Sequence, residues 1–310
     1  MDFKHLPVMF NECMDALNLK PDGIYFDGTL GGGGHSLGIL SRTAPNGFLF
    51  ATDRDSDAID AASERLKDFR PRLRVVKDNF KNFAKVADDL EILYIDGALL
   101  DLGVSSYQLD NRERGFAYMS RESKLDMRMD RTSNFSAYEL VNTYPESKLK
   151  YIISTYGEEK FAANIAKNIV LKRQDKPIET TGELVDICDM SIPYKFKRDG
   201  HPAKKTFQAI RIAVNEELDG LDTAIKDIVK RLKKGGRLAI ITFHSLEDRI
   251  VKTVFKELET ACICDKRYPC VCNKKAIVKE INKKPITATE KECLENSRSK
   301  CAKLRVVEKL

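Results

Sequence analysis

The feature that most constrains this chain is a glycine run placed between two different periodicities. Gly31-Gly32-Gly33-Gly34 follows a short apolar run, Ile24–Asp27, and precedes a helix-period segment starting near His35. Glycine lets backbone turn sharply and approach a ligand, while the N–H groups of the following helix face that ligand. Strand, glycine turn and helix in this order begin a β-α-β unit. The rhythm then repeats. Residues 48–52 form a second apolar run ending in Asp53, and Ile59, Ala62, Leu66 and Phe69 follow at helical spacing behind Asp55 or Ser56 as an N-cap. Residues 73–76 and 97–102 read as third and fourth strands, the last apolar throughout, as in a strand covered on both faces. The expected class is α/β with a parallel sheet.

Strand signals stop after Ser105. Helical patterns near residues 137–142, 147–155, 158–171 and 181–190 carry little β character, and they follow a polar stretch containing Arg114-Gly115-Phe116 and Leu125-Asp126-Met127-Arg128-Met129-Asp130. The α/β pattern returns with Val214, Leu218, Leu221, Ile225, Ile228 and Leu232, spaced by fours and threes as one face of a long helix or helix pair. Lys233-Lys234-Gly235-Gly236 would stop that helix, 237–243 would be a buried strand and 304–308 a terminal one. The chain therefore divides into a sheet domain, 1–105 with 216–310, and an inserted helical domain, 106–215.

Composition narrows the class further. With 310 residues and 42% hydrophobic side chains the chain can bury a full core, and no apolar run approaches the roughly 18 residues of a membrane span. The N-terminus lacks a basic start followed by an apolar stretch, so no leader is readable and the cytosol is the expected compartment. A net charge of +6 names no partner, but residues 261–310 hold 13 basic and 6 acidic side chains. That C-terminal fifth is a candidate polyanion surface, or equally a solvated basic segment. It also contains Cys262-x-Cys264 and Cys270-x-Cys272, either a zinc site or idle thiols; the spacing departs from paired C-x2-C, and no metal is assigned.

Asp53 ends the second strand 20 residues after Gly33, where a carboxylate can take both hydroxyls of an adenosine ribose. A dinucleotide and S-adenosyl-L-methionine fit this equally. Asp27, directly before the loop, separates them, because it would repel a pyrophosphate and attract a cationic sulfonium. Asp78-Asn79-Phe80 follows the third strand, where the acid could accept from adenine N6 and the ring cover the base, or where both simply form a strand-end turn. S-adenosylmethionine is preferred to a nicotinamide cofactor. Asp101 ends the fourth strand and is the best-placed acceptor for the N–H of an exocyclic base amine, a poor nucleophile until its lone pair is localised. His244-Ser245-Leu246-Glu247-Asp248 suggests a nucleophile site, but capping by Ser245 with Asp248 three residues on is favoured; a base contact by His244 is the functional alternative.

Taken in order, His5-Leu6-Pro7-Val8, Asp27-Gly28-Thr29 with Gly33-Gly34-His35-Ser36, and Asp101 to Ser106 with Gln108-Leu109-Asp110 form a pattern. It continues through Arg114-Gly115-Phe116, the Leu125 to Asp130 run, Lys205-Thr206-Phe207-Gln208-Ala209, Phe243 to Arg249 and Lys303-Leu304-Arg305-Val306. Across nearly its whole length the chain resembles the RsmH (MraW) family of bacterial 16S rRNA cytosine-N4 methyltransferases. Tyr107, Ser123-Lys124 and Cys301 depart from the family pattern, which has Pro, Gly-Pro and a small residue there. The resemblance implies a class I (Rossmann-like) methyltransferase sheet with an inserted helical substrate-recognition domain. It implies S-adenosylmethionine as cofactor, held by Gly33, Gly34, His35, Asp53, Phe80, Asp101 and Gln108, and methylation of a cytidine N4 in the decoding region of 16S rRNA of the small ribosomal subunit. The alternative is a non-catalytic RNA-binding ribosome assembly factor with a cofactor-type fold; oligomeric state stays open.

Overall fold

The computed structural model describes residues 7–197, 200–262, 264, 267 and 271–310. The chain divides into two compact units, Met1–Gly103 with Asp219–Leu310, and Val104–Leu218. The first unit begins α1 (Phe10–Leu17), β1 (Ile24–Asp27), α2 (Gly34–Arg42), β2 (Phe48–Asp53), α3 (Ser56–Arg65), β3 (Leu73–Lys77), α4 (Phe83–Asp89) and β4 (Ile95–Asp101). The second contains α5 (Ser106–Asp110), α6 (Ala137–Thr143), α7 (Glu146–Tyr156), α8 (Ala162–Asp175), α9 (Thr181–Ser191) and α10 (Lys204–Asn215). The first then resumes with α11 (Leu221–Arg231), β5 (Leu232–Thr242), α12 (Ser245–Glu259), β6 (Val278–Glu280), β7 (Ile286–Thr287), α13 (Glu290–Glu295) and β8 (Lys303–Lys309).

The sheet order is β3-β2-β1-β4-β5-β8-β6, with β7 also on β8. Strands β1 to β5 run parallel, while β8 is antiparallel to β5 and β6 antiparallel to β8. Strand side chains alternate between faces, so each strand feeds two cores. Phe26, Phe50, Ala98, Leu100, Leu238 and Ile240 point into one, closed by Val86 and Ala87 of α4, Ile225 and Ile228 of α11, and Val251 and Phe255 of α12. Tyr25, Leu49, Ala51, Leu99, Ala239 and Ile241 point into the other, closed by Met14 and Leu17 of α1, Ile39 and Leu40 of α2, and Ala62 of α3. The Phe26 ring lies 4.8 Å from Phe50 and 4.9 Å from Phe83. Burying each such ring contributes about 1.5–3 kcal/mol. Order reverses between β1 and β4: from β1 the chain winds outward through β2 and β3, then crosses to β4 and β5. A crevice therefore forms above the carboxyl ends of β1 and β4.

The second unit has its own core, gathering Leu140 of α6, Leu149 and Ile153 of α7, Ile165 and Ile169 of α8, Leu184 and Cys188 of α9, and Phe207 and Ile210 of α10. Leu125, Met127 and Met129 alternate into it. Asn215 fixes that run, its Oδ1 accepting from the Met129 amide and its Nδ2 donating to the Met127 carbonyl, each at 2.7 Å. Between them Arg128 grips Asp126 with two bonds of 2.8 Å. The Arg114 guanidinium donates to the carbonyls of Arg128 and Met129.

Of the two readings of the apolar face from Val214 to Leu232, the helix pair holds: α10 ends at Asn215 with Glu216 capping it in the left-handed conformation, and α11 starts after Gly220 at φ 70°. One local expectation changes. Leu232 already belongs to β5, so Lys233 to Gly236 do not stop the helix. They form an irregularity inside the strand, where the register against β4 slips between Ile95 and Gly97 and Gly235 takes φ 78°. Among the described residues no helix is long and apolar enough to cross a membrane.

Candidate active site

The carboxyl ends of β1, β2 and β4 carry three acids, each treated differently by its surroundings. Asp27 is fully buried. Its Oδ1 accepts from the Thr29 amide at 3.1 Å, closing an Asx turn, and its Oδ2 accepts from the Ser36 hydroxyl at 2.6 Å. Desolvation pushes it up to about 6 despite those bonds. Asp27 therefore staples the glycine loop to the first turn of α2, and its carboxylate has no face left for a ligand. The charge argument that separates cofactors in the sequence thus rests on a group already engaged inside the loop.

Asp53 receives the loop from the far side. Its Oδ2 accepts from the Gly31 amide at 2.8 Å and its Oδ1 from the Asp55 amide at 2.9 Å, with burial again raising its pKa. Asp55 is the N-cap of α3, accepting from the Asp57 amide. Gly33 caps α2 at φ 72°, and a Cβ on Gly32 would meet nothing within 4 Å. The loop thus bends around Asp53 and opens on free space at Gly32.

Asp101 is the least comfortable of the three. Its amide donates to the Thr29 hydroxyl at 2.6 Å. Its Oδ1 is buried with no hydrogen-bond partner among the described residues. Burial, then the charges of Asp27 and Glu247, push it up to about 8. Its Oδ2 faces His35 Nδ1 at 3.7 Å, beyond hydrogen-bonding distance. His35 Nε2 lies 3.1 Å from the Val8 carbonyl; this nitrogen carries the proton, since a carbonyl only accepts. Burial lowers His35 to about 4, so at neutral pH it shows Asp101 an uncharged ring with a lone pair.

Phe80 follows β3 and lies across Gly28, where an added Cβ would come 2.9 Å from its Cβ and 2.3 Å from Leu100 Cδ2. Asp78 turns inward: its Oδ1 accepts from the Asn79 amide at 2.7 Å and from Asn82 Nδ2 at 2.6 Å. That is the strand-end turn. Gln108 belongs to the second unit, where its Oε1 accepts from the Ser105 amide at 3.0 Å and Ser105 Oγ accepts from its own amide, a reciprocal cap on α5.

The cap on α12 is not Ser245. His244 is the N-cap, its Nδ1 accepting from the Glu247 amide, and Glu247 Oε2 accepts from the Phe243 amide at 2.8 Å. Asp248, expected to complete a cap, instead holds Arg305 of β8 at 2.7 Å. The hydroxyls of Thr29 and Ser36, which fix Asp101 and Asp27, lie within the Asp27-Gly28-Thr29 and Gly33-Gly34-His35-Ser36 stretches, but nothing in those stretches singles out the hydroxyls.

The loop and the strand ends leave room and polar groups for a cofactor. Asp53 sits at the loop mouth, Gly32 leaves space, and Asp101 presents a buried oxygen lacking a partner. Against known proteins, a profile of the MraW methylase family matches residues 2–310. Two relatives, both named ribosomal RNA small subunit methyltransferase H, come from Clostridium botulinum. That of strain Loch Maree (Type A3) is 56% identical over 311 residues and that of strain Kyoto (Type A2) 55%, each covering 100% of both chains. Among solved structures, an rRNA methylase from Streptococcus thermophilus is 14% identical with a TM-score of 0.42, covering 99% of each chain.

Proposed function

The chain belongs to the MraW methylase family, and from that premise we propose that it methylates N4 of a cytidine in the decoding region of 16S rRNA, within the small ribosomal subunit in the cytoplasm. Its cofactor is S-adenosylmethionine. The observation that carries the substrate is full-length identity of 55–56% to proteins named for small-subunit ribosomal RNA methylation.

When bound, S-adenosylmethionine supplies a methyl group on a cationic sulfur. We assign its ribose to Asp53, its approach to the backbone of Gly33 and Gly34, its adenine cover to Phe80, and further contacts to His35, Asp101 and Gln108. Asp101 also accepts from the cytosine amine. Methyl transfer forms a carbon–nitrogen bond at N4, breaks the carbon–sulfur bond and requires N4 to lose one proton. With its pKa near 8 the group is largely protonated at neutral pH, so it receives that proton in its ionised form, which the cationic sulfonium of a bound cofactor would favour. His35, neutral and held by Val8, faces Asp101 with an uncharged ring and donates nothing to it. We assign the inserted unit to substrate recognition.

Nucleoside mass spectrometry of rRNA from cells with and without this protein tests the reading. N4-methylcytidine, or the N4 methyl of a doubly methylated cytidine, should disappear in its absence. An unchanged profile would overturn methyl transfer and leave an RNA-binding assembly factor.

A further inference from the structure

We propose that Cys262, Cys264 and Cys272 form a zinc site, separate from the methyl-transfer residues. The three cysteines bring their sulfurs within 4.8 Å of one another. Cys272 Sγ lies 3.8 Å from Cys262 Sγ. Four-coordinate zinc with bonds of about 2.3 Å to sulfur sets neighbouring thiolates about 3.8 Å apart, the edge of the tetrahedron. The same pair is far from the roughly 2.05 Å of a disulfide. The Cys264 amide points at Cys262 Sγ from 3.4 Å, and a donor aimed at sulfur favours the thiolate that a metal needs.

The surroundings explain why a metal would be useful there. The segment leaves α12 after Glu259 and returns to β6 at Val278. Its base is tied by the Ile277 amide to the Leu258 carbonyl at 2.9 Å and by Lys274 Nζ to the Glu257 carbonyl at 2.9 Å. Among its described residues beyond that base, Val271 is 82% exposed. A short segment whose described apolar side chain is exposed is ordered by ligation more readily than by packing. Thiolates also select a soft ion over magnesium or calcium. On binding, three thiols lose their protons, and the fourth coordination position falls to water or a further donor. Cys270, the remaining cysteine of the run, lies outside the described residues, and the three sulfurs suffice for the proposal. The consequence is mechanical: a clip that fixes the stretch carrying Lys274 and Lys275.

The test uses tag-free, full-length protein from cells grown with added zinc. Elemental analysis should find about one zinc per chain, as for a structural thiolate site. After removal of metal under reducing conditions, cobalt(II) should restore an intense thiolate-to-metal absorption. Substituting Cys262→Ser, Cys264→Ser and Cys272→Ser together should bring zinc to background while binding of S-adenosylhomocysteine is unchanged. Cys301→Ser, at an exposed cysteine elsewhere, should keep the metal. Zinc near zero with no cobalt spectrum, zinc retained by the triple variant, iron in place of zinc, or a disulfide between Cys262 and Cys272 in freshly isolated protein would each overturn the proposal. The wild-type stoichiometry and the cobalt spectrum do not depend on the variant folding.

Discussion

Asp101 is a carboxyl group held where charge is poorly tolerated. In the unfolded chain it would ionise near 3.8, whereas in the fold it does so near 8. Between those values the unfolded state gives up a proton that the native state keeps. The stability this contributes is present at low pH and is lost as pH rises through about 8. Asp27 acts with the same sign but only up to about 6. His35, lowered to about 4 from 6.5, acts with the opposite sign and is spent above 6.5. Above about pH 7 the trend therefore belongs to Asp101 among these three. Asp101→Asn should raise the Tm at pH 8.5, relieving about 1–3 kcal/mol of uncompensated burial, and should raise it less at pH 5. Its kcat should fall and not recover with more cofactor, because the lost interaction is strongest in the transition state. Equal Tm shifts at both pH values, or a normal kcat, would remove the assigned role. Asp53→Ala differs in kind: it should raise the dissociation constant for S-adenosylhomocysteine about 10- to 100-fold by calorimetry, equivalent to charge-assisted bonds of about 1.5–3 kcal/mol. Turnover at saturating cofactor should largely recover. The positions of Asp53 and Asp101 were legible because strand ends and a glycine turn are local signals. The engagement of Asp27 with Ser36 was not, since nothing local says that a serine on the next helix will turn back to it.

At the scale of elements, β1 could be read to the residue, because four apolar-rich positions between turn formers have few alternatives. The break between α10 and α11 was legible only as one of two readings, long helix or helix pair, as an apolar face at helical spacing continues straight across it. Only the left-handed Glu216 and Gly220 mark the break, and a glutamate in that conformation has no sequence signature. Likewise β6 and β7, of three and two residues, are too short to show a period. The cap on α12 misled for a physical reason: Ser245 is the better capping type, but Glu247 three residues after His244 completes the reciprocal pair. Arg114-Gly115-Phe116 shows the converse, a motif whose work is structural. Gly115 takes φ 70°, and an added Cβ would stand 2.3 Å from the Lys124 carbonyl oxygen. Gly115→Ala should thus destabilise the Val104–Leu218 unit by about 1–3 kcal/mol, read as a lower denaturant midpoint. An unchanged midpoint would mean the loop adjusts freely.

Over the whole molecule, charge is concentrated rather than spread. The 261–310 segment holds 13 basic side chains against 6 acidic, and Lys275, Lys283 and Lys284 are exposed while Lys274 is half-buried. If this surface meets rRNA, the logarithm of affinity should fall linearly with that of salt concentration, the slope counting neutralised phosphates. Reversing Lys274, Lys275, Lys283 and Lys284 to glutamate should flatten that slope and weaken RNA binding, with S-adenosylhomocysteine affinity unchanged. Equal RNA affinity would show an ordinary solvated surface. The sheet itself is interrupted: the chain leaves it at Gly103 and re-enters at Asp219, yet Leu100 of β4 must pair with Ile240 of β5. For a chain emerging from the ribosome from its N-terminus, this sets a timetable. The continuous 104–218 unit has all its contacts to hand first, while β4 waits with an apolar edge until β5 arrives. Pairings so distant along the chain close slowly, and it is during that wait, before the strand ends that carry Asp53 and Asp101 are set in a finished sheet, that the nascent protein is most exposed to aggregation.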